Sequence, residues 1–76
     1  MEIKYNSIVY IRDDLKGNTN YSGIPFYCCM DKFKGLQIVE KVEGNYFKLK
    51  HCGFKMSYDM IDFEKTKLIT QFNEVL

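Results

Sequence analysis

GLQIVEKVEGNYFKLKHCGFKMSYDM, residues 35–60, is the stretch whose reading decides the fold. Residues 36–42 alternate, with Leu36, Ile38 and Val42 as one set and Gln37, Val39 and Lys41 as the other, which predicts a strand whose first set is buried. Glu40 interrupts the buried set and marks a bend or bulge. Glu43-Gly44 reads as a compact hairpin turn. Residues 45–50 (NYFKLK) read as the next strand, with Phe47 and Leu49 inward and Tyr46, Lys48 and Lys50 outward. His51-Cys52-Gly53 reverses the chain again, and residues 54–56 form a short strand. Ser57 is placed to cap a turn of Tyr58, Asp59 and Met60 by accepting a backbone N–H. Three short strands joined by two tight turns, followed by a polar helical turn, predict a small twisted β-barrel.

Working outward, residues 7–12 (SIVYIR) read as an opening strand, with Ile8, Tyr10 and Arg12 on one face and Val9 and Ile11 on the other. β-Branched and aromatic side chains suit a pleated surface. Residues 13–24 read as a long connection rich in turn formers (Gly17-Asn18, Asn20, Ser22-Gly23), anchored by Leu15 and Tyr21. Residues 25–34 (PFYCCMDKFK) have two readings. Phe26, Cys29, Met30 and Phe33 fall at helical spacing between Pro25 and Gly35, while a strand at 26–29 followed by one helical turn fits nearly as well. A short helix or turn covering one barrel end is preferred. In the tail, residues 67–72 (KLITQF) suit a closing strand. Ile61, Leu68, Phe72, Val75 and Leu76 suit one helix face equally.

The 76 residues make one domain, a core at 7–62 with a tail at 63–76. A chain this short buries only about 60% of its unfolded surface. Six Tyr and six Phe offset that, since rings bury much area per residue ordered. Net charge is +1, which gives no general attraction to nucleic acid or acidic membranes. No apolar run approaches the ~20 residues of a bilayer span, and no signal-like leader precedes a cleavage site. Three cysteines, two of them adjacent, predict reduced thiols and a cytoplasmic protein.

The implied order (strand, long loop, hairpin-linked strands, short fourth strand, helical turn, closing element) resembles an SH3-like barrel. The expectation is a mainly β fold of about five antiparallel strands with one or two short helical turns. The spacing also resembles small uncharacterised proteins of low-GC Gram-positive bacteria and their phages. Val9, Ile11, Arg12, Asp14 and Leu15 match that pattern, then Tyr21, Gly23, Phe26, Met30, Phe33 and Gly35. Ile38, Val42, Phe47, Leu49, Ser57, Asp59 and Met60 complete it. The chain departs at Met56, where the pattern carries Trp. The single Arg, Arg12, and the absence of Ala suit AT-rich coding, as in such genomes. The resemblance brings no catalytic residues.

Cys28, Cys29, His51 and Cys52 have the residue types of a zinc set, but structural zinc wants ligand pairs two to four residues apart. Both pairs here are adjacent, and adjacent strand residues point to opposite faces. No metal and no cofactor are therefore expected, and one of Cys28 and Cys29 is expected to pack inward. His51, Ser57 and Asp59 lack the nucleophile elbow and oxyanion loop of a hydrolase, so no enzyme is expected.

Two surfaces remain. The first gathers Tyr10, Asp13, Asp14 and Tyr21 of the long loop with Tyr58 and Asp59, an aromatic and acidic end suited to a basic protein partner. A phage or mobile-element protein acting on a host protein would use such an end. The second, Lys41, Tyr46, Lys48, Lys50 and Lys55, interleaves charge with a ring as single-stranded nucleic acid requires. A homodimer through an open barrel edge, or through Phe72, Val75 and Leu76, is a third expectation.

Overall fold

In a computed structural model, which describes residues 3–75, the chain is mainly β. It runs β1 (Ile8–Ile11), β2 (Thr19–Tyr21), β3 (Ile24–Phe26), a 3-10 turn (Cys28–Phe33), β4 (Gly35–Glu43), β5 (Tyr46–Leu49), β6 (Met56–Ser57), a second 3-10 turn (Tyr58–Met60) and α1 (Phe63–Val75). Four strands in the order β1-β4-β5-β6 curl into a half-barrel, and β2-β3 form a separate hairpin. The small-barrel class expected from the sequence holds, with six strands among the described residues rather than about five.

β4 contains the decisive local event. Val39 pairs with Leu49, but the next pair is Lys41 with Lys48, so Glu40 is the extra residue of a bulge, as its position suggests. One inserted residue reverses the alternation of everything beyond it. After the bulge, Val42 lies opposite the buried Phe47, on the expected face. Before it, Val39 is fully buried while Leu36 and Ile38 stand outside, 56% and 42% exposed. Of Leu36, Ile38 and Val42, expected to be buried, only Val42 lies on the inner face, and even it is 37% exposed at the end of the strand.

Val9, Ile11, Phe26, Met30, Val39, Phe47, Met56 and Met60 have no exposure and form the core with Leu15, Leu49, Cys52 and Ile61. The β4–β5 turn falls on Gly44-Asn45, one residue later than read, because Glu43 pairs with Tyr46. The last strand shifts to Met56–Ser57, with Phe54 outside it. Ser57 precedes its 3-10 turn, but its side chain makes no cap. Its Oγ is buried without a partner.

The expected long loop contains a hairpin. Ser22 and Gly23, at φ 53° and 81°, form the two-residue turn between β2 and β3, whose positive dihedrals match the twist of the flanking strands. Phe26 ends β3 inside the core, and the 3-10 turn that follows buries Met30. Gly17 passes directly over that turn. A Cβ there would collide with Cys28 Sγ and lie 3.1 Å from Cys28 Cα. Cys28 and Cys29 are both exposed and Cys52 is the buried thiol, which corrects the expected inward packing of one of the first two. A 3-10 turn does not alternate faces as a strand does.

The tail is a helix, not a closing strand. Asp62 Oδ1 accepts the Lys65 N–H at 3.0 Å, an N-cap, and Glu64 adds negative charge in the first turn. The free edge of β1, where a fifth strand would add, is already occupied. Ile11 bridges Ile61, Tyr10 N–H donates to Thr66 Oγ1 at 2.9 Å, and Asp62 N–H donates to Tyr10 O at 2.8 Å. Thr66 is buried there, and its hydroxyl donates to Asp62 O at 2.7 Å. Leu68, read as part of the buried helix face, is 65% exposed. The side chains of Phe72 and Val75, and Leu76 entirely, lie outside the described residues.

Candidate functional site at the acidic end

β1 ends at Ile11, so Arg12, Asp13 and Asp14 emerge at one end of the half-barrel, where the β2–β3 turn and the start of α1 meet them. Two parallel aromatic–carboxylate–cation sets result. In the first, Tyr10 OH donates to Asp13 Oδ2 at 2.8 Å, and Lys65 Nζ lies 3.4 Å from the same oxygen and 4.6 Å from the Tyr10 ring centre. In the second, Arg12 donates through two nitrogens to both oxygens of Asp14, each at 2.9 Å, with its guanidinium 5.7 Å from the Tyr21 ring centre. The planar fork of arginine is what permits the paired contact. A further Arg12 nitrogen donates to Asp59 O at 2.9 Å, and Ser22 Oγ donates to the Asp59 carboxylate.

Tyr10, Asp13, Asp14, Tyr21 and Asp59 are thus brought together. Tyr58 is half-buried instead, its ring 5.5 Å from that of Phe47. Asp62, Phe63, Glu64 and Lys65 were missed, and they join Arg12, Asp13 and Asp14 around a groove of about 410 Å³ with four carboxylates and two cations. The signal for them was the Asp-Phe-Glu-Lys run, an N-cap with an acid in the first turn.

Hydrogen bonding favours the anionic form of Asp13 and Asp14. The Tyr10 hydrogen bond, aided by Lys65, holds Asp13 below the usual carboxylate range, and the Arg12 fork does the same for Asp14. Bonding to Asp13 in turn raises Tyr10 and Lys65. The folded form therefore binds fewer protons than the unfolded chain around the carboxylate pKa values, and the stabilisation is full above those values. It is lost as pH falls through the lowered ones. Conversely, the raised Tyr10 and Lys65 stabilise below their ordinary values, and that part is lost as pH rises through the raised ones. Melting temperature is expected to fall below about pH 4, and Asp14→Asn is expected to flatten that acid limb. An acid limb of unchanged slope in the variant would show that the fork contributes nothing.

The lysine surface is assembled differently from its expectation. Lys41 and Lys48 stand opposite each other, but Lys41 pairs with Glu43 at 2.7 Å. Lys55 Nζ covers the Tyr46 ring at 4.7 Å, and Lys50 lies over Tyr5 rather than Tyr46. The ring that would stack on a base is already covered by a cation. A second groove of about 390 Å³, lined by Ile24, Pro25, Tyr27 and Phe54 with Lys55, carries no acid. Among the described residues no group of three His, Cys, Asp or Glu is placed to hold a metal, and no helix is long and apolar enough to cross a membrane. Comparison with family models, with curated proteins and with solved structures finds no match.

Proposed function

We propose that this chain is a non-enzymatic protein-interaction module that docks a basic partner on its acidic end. The observation that carries the reading is the gathering of Asp13, Asp14, Asp62 and Glu64 around one open groove, with Asp59 tied to its rim through Arg12. Carboxylates held in fixed positions supply steering. A general acid needs a carboxyl raised toward neutrality, whereas Asp13 and Asp14 move the other way. The partner's lysines and arginines would meet carboxylates already held in place by Arg12, Ser22 and Lys65, so little ordering entropy is lost on docking. An accessory role in a phage or mobile element rests on the resemblance carried by residues 7–62.

The test is capture with the wild-type chain, followed by affinity measurement for the protein retained. Glu64→Lys with Asp59→Asn is expected to weaken that affinity at least about tenfold, and raising salt from about 50 to 300 mM is expected to weaken it further. Equal affinity for wild type and variant would refute docking at this end. Salt-sensitive binding of a single-stranded oligonucleotide, lost in Lys48→Ala, would move the function to the lysine surface.

A further inference from the structure

The two aromatic–carboxylate–cation sets at the acidic end differ in how firmly the cation is held. Arg12 gives two bonds of 2.9 Å to the Asp14 carboxylate and a third, also 2.9 Å, to Asp59 O. Lys65 makes one contact of 3.4 Å with Asp13, and these side chains are 50% and 58% exposed. A single exposed pair is worth little, because solvent screens it and two side chains must be held still. Arg12 therefore stays on Asp14, whereas Lys65 exchanges on and off Asp13.

What Lys65 occupies is a seat for a cation. Its ammonium lies 4.6 Å from the centre of the Tyr10 ring, within the range of cation–π attraction. The Tyr10 hydroxyl donates to Asp13 Oδ2 at 2.8 Å, which keeps the carboxylate oriented when Lys65 leaves. The Lys65 backbone has no need to move. Its N–H is bound by Asp62 Oδ1, and Thr66 beside it is tied to Tyr10 N–H on β1. Release is thus a side-chain rotation on a fixed helix start, with rotamer freedom regained. The seat suits an ammonium better than a guanidinium. One Asp13 oxygen already accepts the Tyr10 hydroxyl, so the two-oxygen grip of Arg12 on Asp14 is not fully open here.

We infer that Lys65 is an internal stand-in for a lysine of the basic partner, seated on Asp13 and the Tyr10 ring in the free chain and displaced when that lysine docks. The inference rests on the reading of the acidic end as a docking site, and it names both the partner group and the contact that restrains it. Lys65 orients Asp13 in the free chain but also competes for it, so only the fraction of chains with Lys65 released is ready to bind. Removing Lys65 therefore tightens binding, which the loss of a merely structural ion pair does not do.

Nuclear magnetic resonance titration of the whole chain with an acetylated, amidated tetralysine peptide at low salt tests it. In wild type the peptide is expected to shift the signals of the Tyr10 ring, Asp13 and the Lys65 side chain. Lys65→Met is expected to bind it about two- to fivefold more tightly, the worth of one exposed ion pair. Lys65→Gln serves should the first variant fold poorly. Lys67→Met removes the same charge from the same helix and is expected to give less than half that gain. Asp13→Asn is expected to weaken binding at least about fivefold. A Lys65→Met chain that binds no more tightly than Lys67→Met overturns the inference, since net charge then explains the gain. Tighter binding of tetraarginine than of tetralysine overturns it too, as does the absence of any shift at about 10 mM peptide. Shifts confined to Asp59 and Glu64, with Tyr10 unmoved, overturn the role of Lys65 while leaving the docking site itself in place.

Discussion

Val39→Asp is expected to unfold this domain, while Leu36→Asp, on the same strand, leaves its melting temperature within a few degrees. Val39 is fully buried opposite Leu49, and a carboxylate there would have no donor to receive it. An unpaired buried charge costs about 4 kcal/mol or more, against a total near the lower end of the usual ~5–15 kcal/mol for so small a domain. Leu36 is more than half exposed, and surface substitutions usually change stability by about 0.5 kcal/mol or less, some 2–4 °C at this size. Simple alternation through β4 predicts the opposite ranking. A Leu36→Asp chain that unfolds beside a stable Val39→Asp chain would therefore place the bulge elsewhere.

The second large effect is expected at Phe47. Its ring has no exposure and lies 5.5 Å from Tyr58, while its register partners are Val42 on β4 and Met56 on β6. Phe47→Ala removes the ring that joins these strands to the second 3-10 turn. Large-to-small changes of this kind cost about 3–5 kcal/mol, because the surroundings collapse only partly into the space left. Phe47→Leu, which keeps most of the volume, should cost less than about 1.5 kcal/mol. Denaturant unfolding of both variants separates the cases. Equal midpoints for Phe47→Ala and wild type would show that the half-barrel does not depend on this ring.

The legible parts of the fold share one physical property. β5 was readable because Phe47 and Leu49 alternate with Tyr46 and Lys48 without interruption, and β1 because Val9 and Ile11 do the same. The bulge at Glu40 was readable as a polar residue at an apolar position. Its consequence for Leu36 and Ile38 was not, because both faces of β4 carry apolar residues and either phase satisfies a local pattern. The β2–β3 hairpin was hidden because its three-residue strands are too short to show a period, although Ser22-Gly23 signalled the turn.

The candidate site divides in the same way. Tyr10, Asp13, Asp14, Tyr21 and Asp59 were legible as an aromatic and acidic group, since four of them lie within one run of chain. Lys65, Asp62 and Glu64 were not, because whether 67–72 joins the sheet or a helix depends on whether β1 has a free edge. That edge is filled by Ile61 and Thr66, and the helix places Lys65 on Tyr10 and Asp13.

By itself the sequence determined a short, ring-rich β domain, its hairpin-linked centre and the chemical character of its acidic end, because these follow from residue type and nearest-neighbour spacing. Only the tertiary structure decided which side of β4 faces water, how the tail closes the β1 edge and which cation neutralises which acid. Those outcomes depend on contacts between residues far apart in the chain, such as Tyr10 with Thr66 and Asp13 with Lys65, and no local pattern encodes the register that brings them together.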